Sequence, residues 1–232
     1  MSELTIRAAD GGSFSGYLAT PKSGKGPGIL VIQEIFGVNQ VMRDITDGFA
    51  AQGYVALCPD LFWRQEPGIQ LTDKTEAEWA RAFQLYQGFD EAKGVADLTA
   101  TLAHLRTLPA CTGKVGSVGY CLGGKLAYLM ATRSDADCNV GYYGVGIDKA
   151  LDEASKITRP LMLHIAERDQ FCPPEAQAQI KAVLGKNPKV TIHSYPGVDH
   201  AFARPGGEHY DNTAAETANK RTAEFFKQHL GA

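Results

Sequence analysis

The chain has 232 residues, 44% of them hydrophobic, and its 23 Lys and Arg against 26 Asp and Glu give a net charge of −3. This composition excludes a disordered protein. It also leaves no basic surface for nucleic acid or anionic lipid. A chain of this length is expected to form a single domain over residues 1–232, with a core that requires no disulfide or metal.

Five cysteines are spread along the chain without a C-x-x-C pair. Their odd number and wide spacing do not match a disulfide framework or a structural zinc site, and free thiols are typical of a reducing compartment. The N-terminus lacks the basic and apolar regions of a signal peptide, and no apolar run approaches the roughly 18 residues of a membrane span. We therefore expect a cytoplasmic protein without a metal or other cofactor. Because no exposed apolar stripe suggests assembly, we also expect a monomer.

Predicted strands and helices alternate along the chain. Two strands, 4–8 and 13–18, flank a turn at residues 10–12. A continuous apolar run predicts a buried strand at 28–33, and a second buried strand is predicted at 54–58. Further strands are predicted at 114–119, 140–143, 160–165 and 190–195. Helical spacing predicts helices at 39–52, 76–106 (interrupted near Gly88 and Gly94), 123–133, 176–184 and 214–230. This alternation predicts an α/β fold, a mostly parallel twisted sheet with helices on both faces.

Ligands bind such sheets at the carboxyl ends of the strands, so the residues after each strand are the first candidates. The strand at 114–119 is followed by Gly119, Tyr120, Cys121, Leu122 and Gly123, which is G-x-C-x-G between a strand and a helix. This is the form of a nucleophile elbow with sulfur in place of oxygen. The helix start would lower the pKa of a thiol there and hold an oxyanion. The alternative is a small buried cysteine in a tight turn.

Two later strand ends carry an acid and a base. Asp169 follows the strand at 160–165, and His200 follows the strand at 190–195. The chain order Cys121, Asp169, His200 is the nucleophile–acid–base order of α/β-hydrolases. His200 would move protons, and Asp169 would fix its tautomer. Glu167 remains an alternative acid.

A carboxylate also follows the first buried strand. Glu34 stands at the end of an apolar run, where an unpaired carboxylate is costly. In hydrolases this loop supplies an oxyanion-hole amide. Two interpretations remain open: Glu34 is a solvated loop residue, or it sits against Cys121 and influences its protonation.

Taken together, the motifs closely resemble those of the dienelactone hydrolase (carboxymethylenebutenolidase) family. The resemblance runs from about residue 5 to 228. It is carried by five segments: QEIFGVN at 33–39, CPDL at 58–61, GYCLGG at 119–124, GYYGVG at 141–146 and GVDHAFAR at 197–204.

The resemblance implies an α/β-hydrolase fold and a reaction. Members hydrolyse small anionic dienelactones, formed in catechol and chlorocatechol degradation, to maleylacetate. By this resemblance, the thiol of Cys121 rests toward Glu34, which takes its proton when substrate binds. The thiolate then pairs with His200 and forms a thioester with the substrate, while the backbone N–H groups of Ile35 and Leu122 form the oxyanion hole.

Substrate-binding residues are also implied. Arg204 matches the arginine of the family that binds the substrate carboxylate, which suits a guanidinium fork. The chain departs from the family pattern at Ala201, where the family has a serine. For the second carboxylate-binding arginine, Arg81 is the nearest residue, whereas alignment on residues 89–90 puts Trp79 at that position.

These departures keep alternatives open. The first is a general carboxylesterase or thioesterase with the same triad. A ligand-binding protein on a hydrolase scaffold is a second. A thiol redox protein, in which Cys172 lies close to Cys121, is a third.

Overall fold

A computed structural model of the protein describes residues 2–231. The chain divides into two compact units, the first ending at Gly116 and the second spanning Ser117–Gly231. The strand order in the eight-stranded sheet is β1-β2-β4-β3-β5-β6-β7-β8. The strands are β1 (Ser2–Arg7), β2 (Ser13–Ala19), β3 (Gly26–Ile32), β4 (Val55–Pro59), β5 (Cys111–Tyr120), β6 (Cys138–Tyr142), β7 (Leu161–Ala166) and β8 (Val190–Tyr195). The helices are α1 (Gln40–Ala51), α2 (Glu76–Gln87), α3 (Glu91–Thr107), α4 (Leu122–Arg133), α5 (Pro174–Leu184) and α6 (Asn212–Leu230).

In the first unit, β1 and β2 form the predicted hairpin, in which Ile6 pairs with Phe14. Strand β2 then pairs antiparallel with β4, whereas β3 and β4 are parallel. Every residue of β3 is buried, as its uninterrupted apolar run predicts. Helices α1 and α3 both pack against β3 and β4.

The predicted helical stretch at 76–106 contains one break, not two. Helix α2 ends at Gln87 and is followed by Gly88 as its C-cap, and Asp90 caps α3 by accepting a hydrogen bond from the N–H of Lys93 at 3.1 Å. The expected interruption near Gly94 was wrong, because Gly94 lies inside α3. A Cβ there would lie 2.2 Å from the ring of Phe89, so this glycine makes room for packing and does not end a helix.

In the second unit, β6 pairs parallel with β7 and β7 pairs parallel with β8. Helices pack on both faces of β6. Successive side chains of a strand point to opposite faces, so Gly141 and Tyr142 report on one face each. On one face, a Cβ on Gly141 would meet the backbone of Gly124 in α4 at 2.7 Å. On the other face, the hydroxyl of Tyr142 hydrogen-bonds to Asn219 and Thr222 of α6. The mostly parallel sheet with helices on both faces is thereby confirmed.

A buried hydrogen-bond chain fixes α6 to the sheet. Tyr142 donates to Asn219 at 3.0 Å and accepts from the Thr222 hydroxyl at 2.6 Å. Thr222 therefore accepts from His164 Nε2 at 2.9 Å, and His164 Nδ1 accepts from the Tyr195 hydroxyl at 2.8 Å. Burial lowers the pKa of His164 well below its usual value, which keeps the ring neutral in this chain.

A 3₁₀ segment at Ile147–Lys156 was not predicted. It begins after Gly146, whose φ is +83°, and Ala150 inside it has non-helical backbone angles, so helical periodicity is lost. Tertiary contacts hold it: the Tyr128 hydroxyl donates to Ala150 O at 2.8 Å, and Glu153 pairs with Arg133. In the part of the chain that the structure describes, no helix combines the length and apolar character needed to cross a membrane.

Candidate active site

The turn between β5 and α4 has the geometry of a nucleophile elbow. Cys121 has φ +56° and ψ −114°, a conformation that costs energy for a residue with a side chain. A Cβ at Gly119 would lie 1.8 Å from the carbonyl oxygen of Gly123, and one at Gly124 would lie 2.3 Å from that of Tyr142. Gly119 and Gly124 are therefore required by close backbone approach.

The same turn places Cys121 at the start of α4. Its N–H donates to the carbonyl of Tyr142 at 3.1 Å, and its carbonyl accepts from the N–H of Gly124 at 2.9 Å. The N–H of Leu122 lies in the first turn of α4, where a helix supplies no acceptor of its own. An oxyanion beside Cys121 would meet the positive end of the helix dipole. Cys121 is 8% exposed, which limits access of solvent to its sulfur.

Asp169 and His200 meet as predicted. His200 Nδ1 lies 2.7 Å from Asp169 Oδ2, and the second oxygen of the carboxylate accepts from the N–H of Phe171 at 2.8 Å. Both side chains are buried. The alternative acid, Glu167, is exposed. Because an ionised carboxylate only accepts, the proton of the neutral imidazole lies on Nδ1 and leaves Nε2 for another partner.

Cys121 also acts on the charge state of His200. Burial alone would lower the pKa of His200, but the charge of Cys121 and the hydrogen bonds with Asp169 and Cys121 outweigh it and raise the pKa to about 10. The structure therefore brings His200 and Asp169 into contact, and Cys121 contributes to the electrostatics of His200. The resting position of the thiol toward Glu34, which the resemblance implies, stays a prediction.

The predicted oxyanion loop lies in the first unit and is held rigidly. Glu34 is 2% exposed and Ile35 is 5% exposed. The side chain of Gln33 donates to the carbonyl of Glu34 at 3.2 Å and accepts from the N–H of Leu61 at 3.0 Å. This burial excludes the first of the two interpretations of Glu34, that it is a solvated loop residue.

Arg81 and Trp79 separate on α2, as positions two apart on a helix should. Arg81 forms an ion pair with Glu66 and is 41% exposed at its side chain. Trp79 lies edge-on to Phe36, at a ring-centroid distance of 4.9 Å. It is therefore Trp79, and not Arg81, that packs against the loop carrying Ile35.

Arg204 lies in the loop after His200 and is 7% exposed. Its N–H donates to the carbonyl of Ala201 at 2.9 Å, and Ala201 has φ +63°. This tight turn folds the backbone of Arg204 back toward the residue that follows His200.

The sequence did not identify two aromatic neighbours of His200. The ring of Tyr143 lies 5.2 Å from the imidazole, and that of Phe171 lies 4.9 Å from it. Both follow strands closely, Tyr143 directly after β6 and Phe171 two residues after Asp169. Their positions after strands were the signal in the sequence that could have identified these two residues as neighbours of the site.

Comparisons with known proteins show the family and the fold of the chain. A family model described as the dienelactone hydrolase family matches residues 14–230. A carboxymethylenebutenolidase of a Pseudomonas species is 42% identical over 97% of this chain and 94% of its own length. A protein of Azospirillum brasilense that carries the same name provisionally is 57% identical over 100% of both chains. A solved structure from Klebsiella pneumoniae, described provisionally as a dienelactone hydrolase, gives a TM-score of 0.86 at 25% identity and covers 98% of each chain.

Proposed function

Because the chain belongs to the dienelactone hydrolase family, we propose that it hydrolyses dienelactone (4-carboxymethylenebut-2-en-4-olide) to maleylacetate with Cys121 as nucleophile. The observation that carries the proposal is the buried contact of His200 with Asp169 at 2.7 Å, beside a cysteine at a strained elbow. A thiol, a base and an acid in this order are the parts of nucleophilic acyl transfer.

The proposed reaction has two stages. In the first, the sulfur of Cys121 attacks the lactone carbonyl, the ring C–O bond breaks, and the enolate oxygen leaves while the acyl group remains as a thioester. In the second, His200 takes a proton from water, the water oxygen bonds to the acyl carbon, and the C–S bond breaks. The sulfur leaves as thiolate and recovers its proton from Glu34, while the imidazolium of His200 gives its proton to the enolate. The resulting enol tautomerises to the ketone of maleylacetate. Asp169 holds the imidazole tautomer and stabilises the imidazolium in both stages.

Further residues enter the proposal from the family resemblance. Glu34 accepts the thiol proton when substrate binds, which would protect the sulfur from oxidation at rest. The N–H groups of Ile35 and Leu122 hold the oxyanion. Arg204 binds the substrate carboxylate, since a guanidinium makes two parallel hydrogen bonds to it. Arg81 would contribute only if it left Glu66.

The setting of this reaction is also a proposal. Dienelactones arise during degradation of aromatic and chloroaromatic compounds, which places the enzyme in aromatic catabolism. The small anionic lactone would be its only partner in catalysis. A single-domain, cytoplasmic monomer without cofactor, and without contact to nucleic acid or membrane, remains the expectation from the sequence.

A second candidate is a general carboxylesterase or thioesterase using the same triad. The observation that favours it is the aromatic cluster of the first unit. Trp79 packs on Phe36 and stacks on Phe83 at 5.6 Å, whereas Arg81 is held by Glu66. An aromatic surface favours an apolar group over a second carboxylate.

A thiol redox function is less well supported. Burial, together with the charges of Asp169 and Asp148, raises the pKa of Cys172 to about 12. A resolving cysteine reacts as its thiolate, so Cys172 is a poor candidate for that role.

Steady-state kinetics with cis- and trans-dienelactone beside a neutral p-nitrophenyl ester would test the proposal. We expect kcat/KM for a lactone to exceed that for the ester by about a hundredfold, which corresponds to about 2.7 kcal/mol. Comparable ester turnover would favour the second candidate.

The Cys121→Ala variant is the blank in this experiment. Activity that survived the substitution would overturn the nucleophile assignment for both candidates. Arg204→Gln is the matched substrate-binding variant. We expect it to reduce lactone hydrolysis while it leaves hydrolysis of the neutral ester nearly unchanged.

A further inference from the structure

A cavity of about 470 Å³ lies between β7, β8 and α6 in the second unit. Two of the residues that line it, Pro160 and Lys189, directly precede β7 and β8, so the cavity lies toward the amino ends of these strands. Asp169 and His200 follow the carboxyl ends of the same strands. The cavity is therefore separate from the proposed catalytic residues, and its volume is that of a small-molecule pocket.

The charged side chains around the cavity favour an anion. Among the described residues that line it, Lys189 and Arg221 are cationic and only Glu224 is acidic, which leaves an excess of one positive charge when the histidines are neutral. Burial and the charge of Arg221 lower the pKa of His193, which keeps this ring neutral. Because the chain as a whole has a net charge of −3, the cavity is a local exception that would attract small anions.

Arg221 is fixed in place while most of its hydrogen-bond donors remain available. Its Nη1 donates to the hydroxyl of Tyr195 at 3.1 Å, and its guanidinium lies 5.5 Å from the centre of the Tyr195 ring. Within residues 2–231 this is the only hydrogen bond of the side chain, and no carboxylate forms an ion pair with it. A fixed guanidinium loses little conformational entropy when it binds a carboxylate through two parallel hydrogen bonds.

The remaining walls suit an apolar body. Met162 and Phe225 are buried and line the cavity, and the ring of Phe225 meets that of His229 at a centroid distance of 4.5 Å. The ring of His193 also lines the cavity and stacks on His164 at 5.8 Å. Thioether and aromatic surfaces of this kind favour an aromatic or unsaturated group over a saturated polar one.

We propose that this cavity is a second ligand site of the chain, which binds a small aromatic or unsaturated carboxylate. Arg221 and Lys189 would hold the carboxylate, while Met162 and Phe225 would contact the apolar body. This site goes beyond the proposed hydrolysis, since none of its residues takes part in that reaction. A phosphate shares the negative charge with such a ligand but has no apolar body, so the two kinds of anion can be told apart.

NMR spectra of the full chain, labelled with ¹³C-histidine, test the proposal, because His193 and His229 report on the cavity and His200 reports on the candidate active site. Benzoate is the probe, benzamide is its uncharged counterpart, and inorganic phosphate is an anion without a ring. We expect benzoate to shift the His193 and His229 resonances with a Kd of about 1 mM or below, and both other probes to bind at least about tenfold more weakly. Shifts confined to His200, or equal binding of benzamide, would overturn the proposal.

Variants of the charged residues identify the binding groups. We expect Arg221→Gln to weaken benzoate binding by about tenfold or more, and Lys189→Gln, at an exposed side chain, by about threefold. Glu224→Gln should strengthen it by about threefold, because the acid next to the ligand is removed. The matched control, Lys220→Gln, removes a charge from the neighbouring position on α6, outside the cavity, and should bind as the wild type does.

Arg221→Gln also loses the hydrogen bond to Tyr195, so circular dichroism checks its fold. If that variant does not fold, Lys189→Gln and Glu224→Gln decide the question, since opposite changes in affinity cannot come from general damage to the fold. Unchanged affinity in both would overturn the proposal, as would an equal loss in Lys220→Gln. A chain that bound benzoate in this cavity but hydrolysed no dienelactone would contradict the proposed function alone.

Discussion

Two buried carboxylates, one in each unit, have contrasting partners. Asp97 in the first unit accepts from Trp63 Nε1 at 2.9 Å and from Arg64 Nε and Nη2 at 3.1 and 2.8 Å. Asp169 in the second unit accepts from the N–H of Phe171 and contacts His200 Nδ1. Both are almost completely buried, at 1% and 3% exposure. Burial alone therefore does not distinguish a structural carboxylate from a candidate catalytic one.

The two carboxylates differ in the residue that each one binds. Hydrogen bonds to Asp97 and Asp10 raise the pKa of Arg64, a group that stays charged in any case. Its guanidinium also lies 4.2 Å from the ring centre of Trp63, so the group has a fixed place. His200 can gain and lose a proton, and the cysteine that acts on its charge state sits at a strained turn. The first arrangement suits stability and the second suits proton transfer.

Substitution of Asp169, the proposed catalytic carboxylate, should have the largest effect. We expect Asp169→Asn to lower kcat for the lactone by about 10⁴-fold, because the amide no longer fixes the tautomer or the charge of His200. The free energy of unfolding should change much less. Kinetics and urea denaturation on the same sample measure both. A loss of activity matched by a loss of folded protein would contradict the separation of roles.

The matched change in the first unit is Asp97→Asn. We expect it to lower the free energy of unfolding by about 2–3 kcal/mol, since Arg64 and Trp63 lose a buried anionic acceptor. Activity per folded molecule should be unchanged. Denaturant titration, with active-site alkylation to count folded molecules, gives both values. A kcat loss in folded Asp97→Asn would show that this cluster acts on catalysis.

Acid should weaken the ion pair between Glu153 and Arg133 in the second unit. The hydrogen bond from Arg133 is the main reason that the pKa of Glu153 falls to about 2 from an ordinary 4.5. A lowered pKa stabilises the fold above the unfolded-state value, so this contribution is complete above about pH 4.5 and is lost as the pH falls toward 2. We expect Glu153→Gln to cost about 2 kcal/mol at pH 7 and little at pH 2.5. Urea denaturation at the two pH values measures the difference; equal costs would contradict the assignment.

The smallest effect is expected at an exposed helix start. Thr75 caps α2 by accepting from the N–H of Glu78 at 3.2 Å, and its hydroxyl donates to the carboxylate of Glu78 at 2.8 Å. We expect Thr75→Ala to lower the free energy of unfolding by about 1 kcal/mol or less. Thermal unfolding followed by circular dichroism would detect this change. Thr99→Ala, within α3, serves as a control for loss of a hydroxyl without loss of a cap.

The sequence by itself determined the order of the strands and helices, because apolar runs and helical spacing are properties of short segments. It also determined the elbow around Cys121, since the glycines leave few alternative backbones. The acid and the base followed from their positions after strands. These features depend on neighbours close along the chain, so a single sequence contains them.

Only the tertiary structure decided which side chains meet. It selected Asp169 over Glu167, joined Arg81 to Glu66, and packed Trp79 on Phe36. It also placed Phe171 over His200. Such contacts join separate loops or opposite sides of one helix, and they depend on rotamers that the packing of both partners selects. No spacing in the sequence specifies them.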